Sequence, residues 1–135
     1  MRTILIFAAA GIAGLLAQEG KVVHISGTSA EFKEVIPGIS KCALWGDAEK
    51  GPYGAFTRFA PGQTNRMHIH TNDIRIVVME GAYIYKAGGE EIRVGPKGYL
   101  FIPGGTAHVS RGDDKAGALF YEESAGKFDA KDVAK

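Results

Sequence analysis

The chain of 135 residues carries 16 Lys and Arg against 15 Asp and Glu, which leaves a net charge of +1. This balance, without a basic block, gives no electrostatic basis for binding nucleic acid. The length is typical of one domain with a core of its own. The single Cys42 excludes an internal disulfide and is interpreted as a small buried hydrophobe. The 19 glycines, and the lack of helix-forming runs outside the two ends, favour an all-β chain with many tight turns.

The N-terminal segment has the pattern of a secretory signal peptide. Arg2 supplies a positive head, residues 4–17 form an uncharged apolar run, and polarity returns at Gln18. Such a run is too short to span a bilayer comfortably, but it fits the hydrophobic part of a signal peptide. Cleavage after Ala17 leaves residues 18–135 as one domain, in the periplasm or outside the cell, without stable membrane insertion. The alternatives are a buried N-terminal helix, or a membrane anchor if cleavage fails.

The rest of the chain reads as short β-strands, each bounded by Gly, Pro, Asp or Asn. Strands recurring at intervals of about 8–12 residues favour a sandwich or barrel rather than βαβ units. The tail at residues 127–135 is predicted to be frayed or a short helix. The predicted strands cover residues 21–25, 31–35, 41–45, 53–60, 63–71, 73–80, 82–86, 90–94, 99–102, 107–111 and 118–122.

Three of the four histidines fall in two short β-type motifs. His68 and His70 are two positions apart on one predicted strand, so both imidazoles project to the same face. His108 closes a later PGGTAH motif and can join them from a neighbouring strand. Three histidines predict a site for one divalent transition-metal ion (Fe, Zn, Mn, Ni or Cu), with coordination positions left for water or substrate. An open site of this kind is typical of catalysis or ligand binding, whereas a structural zinc site is usually closed by four ligands.

The GQTNRMHIH segment of residues 62–70 and the PGGTAH segment of residues 103–108 resemble the two motifs of the cupin superfamily. The stretches around them are similar to small, single-domain, ChrR-like bacterial cupins. The resemblance implies a cupin-type jelly-roll β-barrel with a mononuclear metal site in its mouth, often as a homodimer.

One position departs from the family pattern. Where that pattern has a glutamate ligand, this chain has Arg75. By strand alternation, Arg75 and Asp73 are both expected to point inward. Asp73 can then serve as a substitute ligand or can neutralise Arg75, and three histidines plus water are favoured over three histidines plus Asp73. Arg75 is either an anchor for an anionic substrate group or an internal charge held by Asp73 or Glu122.

The function predicted from these residues is that of a mononuclear metal-dependent oxidoreductase, similar to the small cupin dioxygenases. Its partner would be a small anionic molecule, with Arg75 and Asp73 as candidate catalytic residues. One alternative is a secreted cupin that binds a metal or small ligand without turnover. Another is a Zn- or Mn-dependent lyase or isomerase. Whether the protein is an enzyme stays open at this point.

Overall fold

The computed structural model describes residues 20–134, and this part of the chain consists of β-strands, turns and loops. The strands are β1 (Lys33–Ile36), β2 (Ile39–Gly46), β3 (Tyr53–Phe59), β4 (Thr64–Ile69), β5 (Ile74–Gly81), β6 (Tyr83–Ala87), β7 (Glu90–Val94), β8 (Tyr99–Ile102), β9 (His108–Gly112), β10 (Ala118–Ser124) and β11 (Lys131–Asp132). The all-β prediction is confirmed.

The strands form two antiparallel sheets. One sheet has six strands in the order β1-β2-β3-β10-β5-β8, and the other has five in the order β11-β4-β9-β6-β7. Some neighbouring strands are consecutive, as in β1-β2-β3, but others are far apart in sequence, as in β3-β10-β5, so long connections cross between the sheets. This topology places β4, which carries His68 of the first motif, beside β9, which begins at His108, the last residue of the second motif.

Strict alternation of buried and exposed residues shows which face of each strand packs inward. On β5, Ile74, Ile76 and Val78 are buried, while Val77 and Met79 between and beyond them are exposed. Such alternation is expected of a strand with one face against a core. At the centre of the core the Phe120 ring packs edge-on against Phe59, with ring centroids 5.1 Å apart.

The two ends of the described chain differ from the sequence prediction. The strand predicted at residues 21–25 is not formed, and Val22 is almost fully exposed, because this stretch finds no neighbouring strand to pair with. The tail was predicted to be frayed or helical, and this is wrong. Its strand β11 pairs with β4, with Asp132 opposite His68.

The signal peptide predicted over residues 1–17 lies outside the described residues. Within the described part, the chain forms no helix that is long and apolar enough to cross a membrane.

Candidate metal centre

The three predicted metal ligands come together at the junction of β4 and β9. His68 on β4 lies directly opposite His108 on β9, and His70 follows one residue after β4 ends. The ring centroids are 4.4 Å apart for His68 and His108, and 4.8 Å apart for His68 and His70. One ligand atom from each of the three lies within 4.8 Å of the others. All three side chains are buried, His108 completely.

Each imidazole is oriented by a backbone carbonyl. The Nδ1 atom of His68 lies 2.6 Å from the Arg66 oxygen, that of His108 lies 2.9 Å from the Thr106 oxygen, and that of His70 lies 2.6 Å from the Asp129 oxygen. A carbonyl oxygen only accepts hydrogen bonds, so Nδ1 carries the proton in all three rings. The Nε2 lone pairs are therefore available to a metal, which is the usual arrangement around protein-bound metal ions.

The polar environment of these rings fits a transition-metal ion. The Nε2 atom of His108 is buried without any hydrogen-bond partner, which is costly unless another group binds there. Burial, with a smaller contribution from His68 and His70, lowers the pKa of His108 to about 4. Burial also lowers the pKa of His70. Both rings are thus neutral at neutral pH, the form in which imidazole binds metal ions.

Glycine in the second motif allows this approach of the two motifs. The Gly105 amide donates a hydrogen bond of 2.7 Å to the His70 carbonyl oxygen. Gly105 has φ of +79°, in the region that L side chains rarely adopt, and a Cβ atom on Gly104 would lie 2.4 Å from the Thr71 oxygen. Only glycine fits here without strain. The Pro-Gly-Gly turn therefore docks onto the end of the first motif and places His108 beside it.

A family model described as the ChrR Cupin-like domain matches residues 21–127. The chain belongs to this cupin-like family. No curated protein matches the chain significantly.

Several solved structures share the cupin's fold. The polyketide cyclase RemF from Streptomyces resistomycificus superposes with a TM-score of 0.71 at 18% identity, over 85% of this chain and 87% of that one. KdgF from Halomonas sp. gives a TM-score of 0.61 at 19% identity, over 76% and 94%. Rhodobacter sphaeroides SigE in complex with the anti-sigma ChrR gives 0.60 at 13% identity, over 73% and 50%. At these identities the likeness shows the fold alone, and it confirms the predicted cupin-type jelly-roll.

Arg75 of this cupin does not point into the barrel. Its guanidinium carbon lies 5.0 Å from the centroid of the Phe101 ring, on the outward face of the sheet. Its neighbours Ile74 and Ile76 are buried and take the inward positions. The predicted inward direction of Arg75 is therefore wrong. Residues 71–73 bend between β4 and β5, which belong to different sheets, so alternation does not carry over from the histidines to Arg75.

The same bend removes Asp73 from the metal centre. Asp73 is exposed, and its Oδ1 accepts a hydrogen bond of 2.9 Å from the Gly104 amide, which fixes the Pro-Gly-Gly turn. Asp73 is not among the clustered ligand atoms, which come from the three histidines. The catalytic roles predicted for Arg75 and Asp73 thus have no support from where the two side chains lie.

A cavity of about 510 Å³ opens beside the histidines, between the two sheets. His68 and His70 line it, and most of the remaining wall is apolar or aromatic, including Ile76, Phe120 and Phe128. This volume falls in the range of cavities that enclose small organic molecules.

An ion pair lines the same cavity. The Glu122 carboxylate on β10 is 4% exposed and is paired with the Lys41 ammonium on β2. Thr57 Oγ1 donates a second hydrogen bond of 2.8 Å to the same carboxylate oxygen. The charges of Glu122 and Lys41 both act on His70. Because a buried ion pair adds little net stability, its presence next to a candidate metal site points to chemistry.

The sequence offered Glu122 only as a partner for Arg75, and it gave no role to Lys41. The sequence pattern nevertheless indicated that both side chains point inward. Glu122 stands two positions after the inward Phe120, and Lys41 two positions after the inward Ile39, so both are in phase with buried apolar residues. A charged side chain in such a position is rare unless it is paired.

Proposed function

We propose that this cupin is a metal-dependent enzyme that moves a proton on a small carbonyl compound, as an isomerase, lyase or cyclase does. The observation that carries this proposal is the Lys41–Glu122 pair, which lines the same cavity as His68 and His70. This class is preferred over the oxidoreductase expected from the sequence because an acid–base pair is available where substrate can reach it.

The division of roles follows from the contacts. His68, His70 and His108 would hold the metal through Nε2, and a bound divalent metal supplies Lewis-acid polarisation of a carbonyl oxygen. Glu122 takes a proton from the carbon next to that carbonyl. Lys41 and Thr57 hold the carboxylate in place, and Lys41 can return a proton to the product. The apolar walls exclude water from these groups.

The substrate is proposed to be small and largely apolar, with one or two oxygen atoms. The anionic group expected from the sequence depended on Arg75 reaching the site, which it does not. Two cations among the described residues line the cavity, and each has an acidic partner: Lys41 is paired with Glu122, and the exposed Arg66 lies 3.9 Å from Asp132. The polyketide cyclase among the similar structures is an enzyme on this fold, and it supports the proposed class only by analogy.

The test is hydrogen exchange at carbon. Protein loaded with Zn²⁺ or Mn²⁺ is incubated in D₂O with a panel of small ketones and diketones, and deuterium uptake is followed by NMR. Glu122→Gln should slow exchange by about 10²- to 10⁴-fold, the usual contribution of a general base, without loss of metal. Glu123→Gln is the matched control, since that carboxylate lies on the opposite face of β10 and accepts a hydrogen bond from Tyr121.

Equal exchange by Glu122→Gln and the wild type would contradict the role of Glu122. A wild type that keeps its metal and exchanges nothing across the panel would contradict the proposed class.

A second candidate is the dioxygenase-like oxidoreductase. The observation that favours it is the ligand set, in which three imidazoles cluster without a carboxylate, a donor set that suits iron as well as zinc. Oxygen uptake by the iron-loaded protein that depends on an added diketone, thiol or phenol would support this candidate. If metal binds but neither proton exchange nor oxygen uptake occurs, the non-catalytic binding protein remains.

We also propose export to the periplasm or the cell exterior, supported by the apolar run at residues 4–17. A mature N-terminus at Gln18, found by sequencing the native protein, would support this proposal, and an intact Met1 would contradict it. The homodimer expected from the family resemblance stays a prediction that light scattering can check.

A further inference from the structure

The three histidines differ in what orients them. The carbonyls that hold His68 and His108 belong to Arg66 and Thr106, each two residues earlier in the same stretch of chain. The carbonyl that holds His70 belongs to Asp129, which is 59 positions later. The orientation of one ligand therefore depends on a C-terminal segment that contributes no ligand itself.

The Asp129 side chain secures this contact. Its Oδ1 accepts a hydrogen bond of 2.7 Å from the Thr71 amide, and its Oδ2 accepts one of 2.5 Å from the Thr71 hydroxyl. Hydrogen bonds to a carboxylate are stronger than those between neutral groups. Asp129 thus contacts two successive residues. Its main-chain carbonyl accepts from the His70 ring, and its side chain accepts from Thr71.

Residues 126–133, here called the strap, have further contacts along the same path. The Asn72 side chain donates to the Lys127 carbonyl at 3.0 Å, and the Val133 amide donates to the Met67 carbonyl at 3.0 Å. The Phe128 ring covers the cavity side of the centre, with its centroid 5.3 Å from that of His70 and 3.8 Å from Lys41 Nζ. The strap thus connects the metal ligand His70 with the ion pair.

We propose that Asp129 is a positioning residue for His70 and that docking of the strap is coupled to metal binding. The inference rests on the proposed metal site. Coordination through Nε2 would withdraw electron density from the His70 ring, so its Nδ1–H would donate more strongly to the Asp129 carbonyl. Because coupling between two binding events is reciprocal, a metal that tightens the strap is itself bound more tightly when the strap is docked.

The experiment compares three variants with the wild type. Asp129→Ala removes both hydrogen bonds to Thr71. Asp129→Asn keeps an acceptor for the Thr71 amide and a group that can pair with the Thr71 hydroxyl. Asp114→Ala is the matched control, because this carboxylate is exposed and pairs with Arg111, outside both the strap and the histidine cluster. Zn²⁺ affinity is measured by competition with a chromophoric chelator, and the visible absorption of the Co²⁺-loaded protein reports the ligand geometry.

Asp129→Ala should lose about 10- to 100-fold in Zn²⁺ affinity, the usual effect of disturbing a group that orients a ligand, and its Co²⁺ spectrum should change. Asp129→Asn should restore both properties, and Asp114→Ala should match the wild type. In the wild type, Zn²⁺ should slow hydrogen–deuterium exchange of the strap amides.

Wild-type affinity in Asp129→Ala, or strap exchange in the wild type that is unchanged by Zn²⁺, would overturn the coupling while leaving the metal site intact. A wild type that binds neither Zn²⁺ nor Co²⁺ would overturn the metal site itself and the coupling with it.

Discussion

His68 and His108 are held by the chain that immediately precedes them, whereas His70 is held by the strap from the other end of the domain. All three contacts have the same chemistry, a ring N–H donated to a backbone carbonyl. The three rings differ in which part of the chain must be folded before the ring is oriented. Two ligands acquire their tautomer and direction when β4 and β9 pair, and the third acquires them only when the strap docks. The orientation of the candidate ligands therefore involves a segment outside the two sequence motifs that predict them.

The largest effect is expected from removing a locally held ligand. His68→Ala or His108→Ala should abolish metal retention while the protein stays folded, because a core of this size does not depend on a cation. The loss should exceed the roughly 100-fold caused by disturbing an orienting group. Elemental analysis and circular dichroism measure the two properties. His24→Ala is the control, since His24 is exposed and outside the cluster. Global unfolding of either variant would instead make the site structural.

A smaller effect is expected from acid on the metal-free protein. Burial holds the pKa of folded His108 at about 4, against 6.5 for the ordinary side chain. Between these values the unfolded chain takes up a proton that the folded protein does not, so the free energy of unfolding should fall as the pH is lowered through this window. Urea unfolding at several pH values measures it. In His108→Gln this part of the pH dependence should disappear, and an unchanged profile would contradict the assignment to His108.

No effect on metal affinity is expected at Arg75. On sequence alone, Arg75→Glu would restore the carboxylate of the family pattern and tighten metal binding. With Arg75 over Phe101 on the outward face, the new carboxylate would lie away from the histidines. Zn²⁺ competition should therefore give the wild-type affinity. A gain of tenfold or more would show that residue 75 reaches the metal after all.

What the sequence predicted well was local. Spacing placed His68 and His70 on one face, the PGGTAH motif supplied His108 from a neighbouring strand, and the two motifs together predicted the fold. The inward direction predicted for Arg75 from strand alternation was wrong because the bend at residues 71–73 interrupts the alternation between β4 and β5. The inward direction of Glu122 and Lys41 could have been predicted, but their pairing and the strap could not, because the partners are far apart in sequence, as Lys41 is from Glu122 and His70 from Asp129. Contacts between residues so far apart in sequence can be identified only from the folded structure.

The proposed metal site consists of three imidazoles whose Nε2 atoms are free to bind one ion. The most direct test is the metal content of protein purified without a histidine tag or chelating resin, then exposed in turn to Fe²⁺, Zn²⁺, Mn²⁺, Ni²⁺ and Cu²⁺ and washed. Native mass spectrometry should find one tightly held ion per chain for at least one of these metals, and none in His108→Ala. A folded wild type that retains none of them, or that retains the same ion after His108 is removed, would contradict the account.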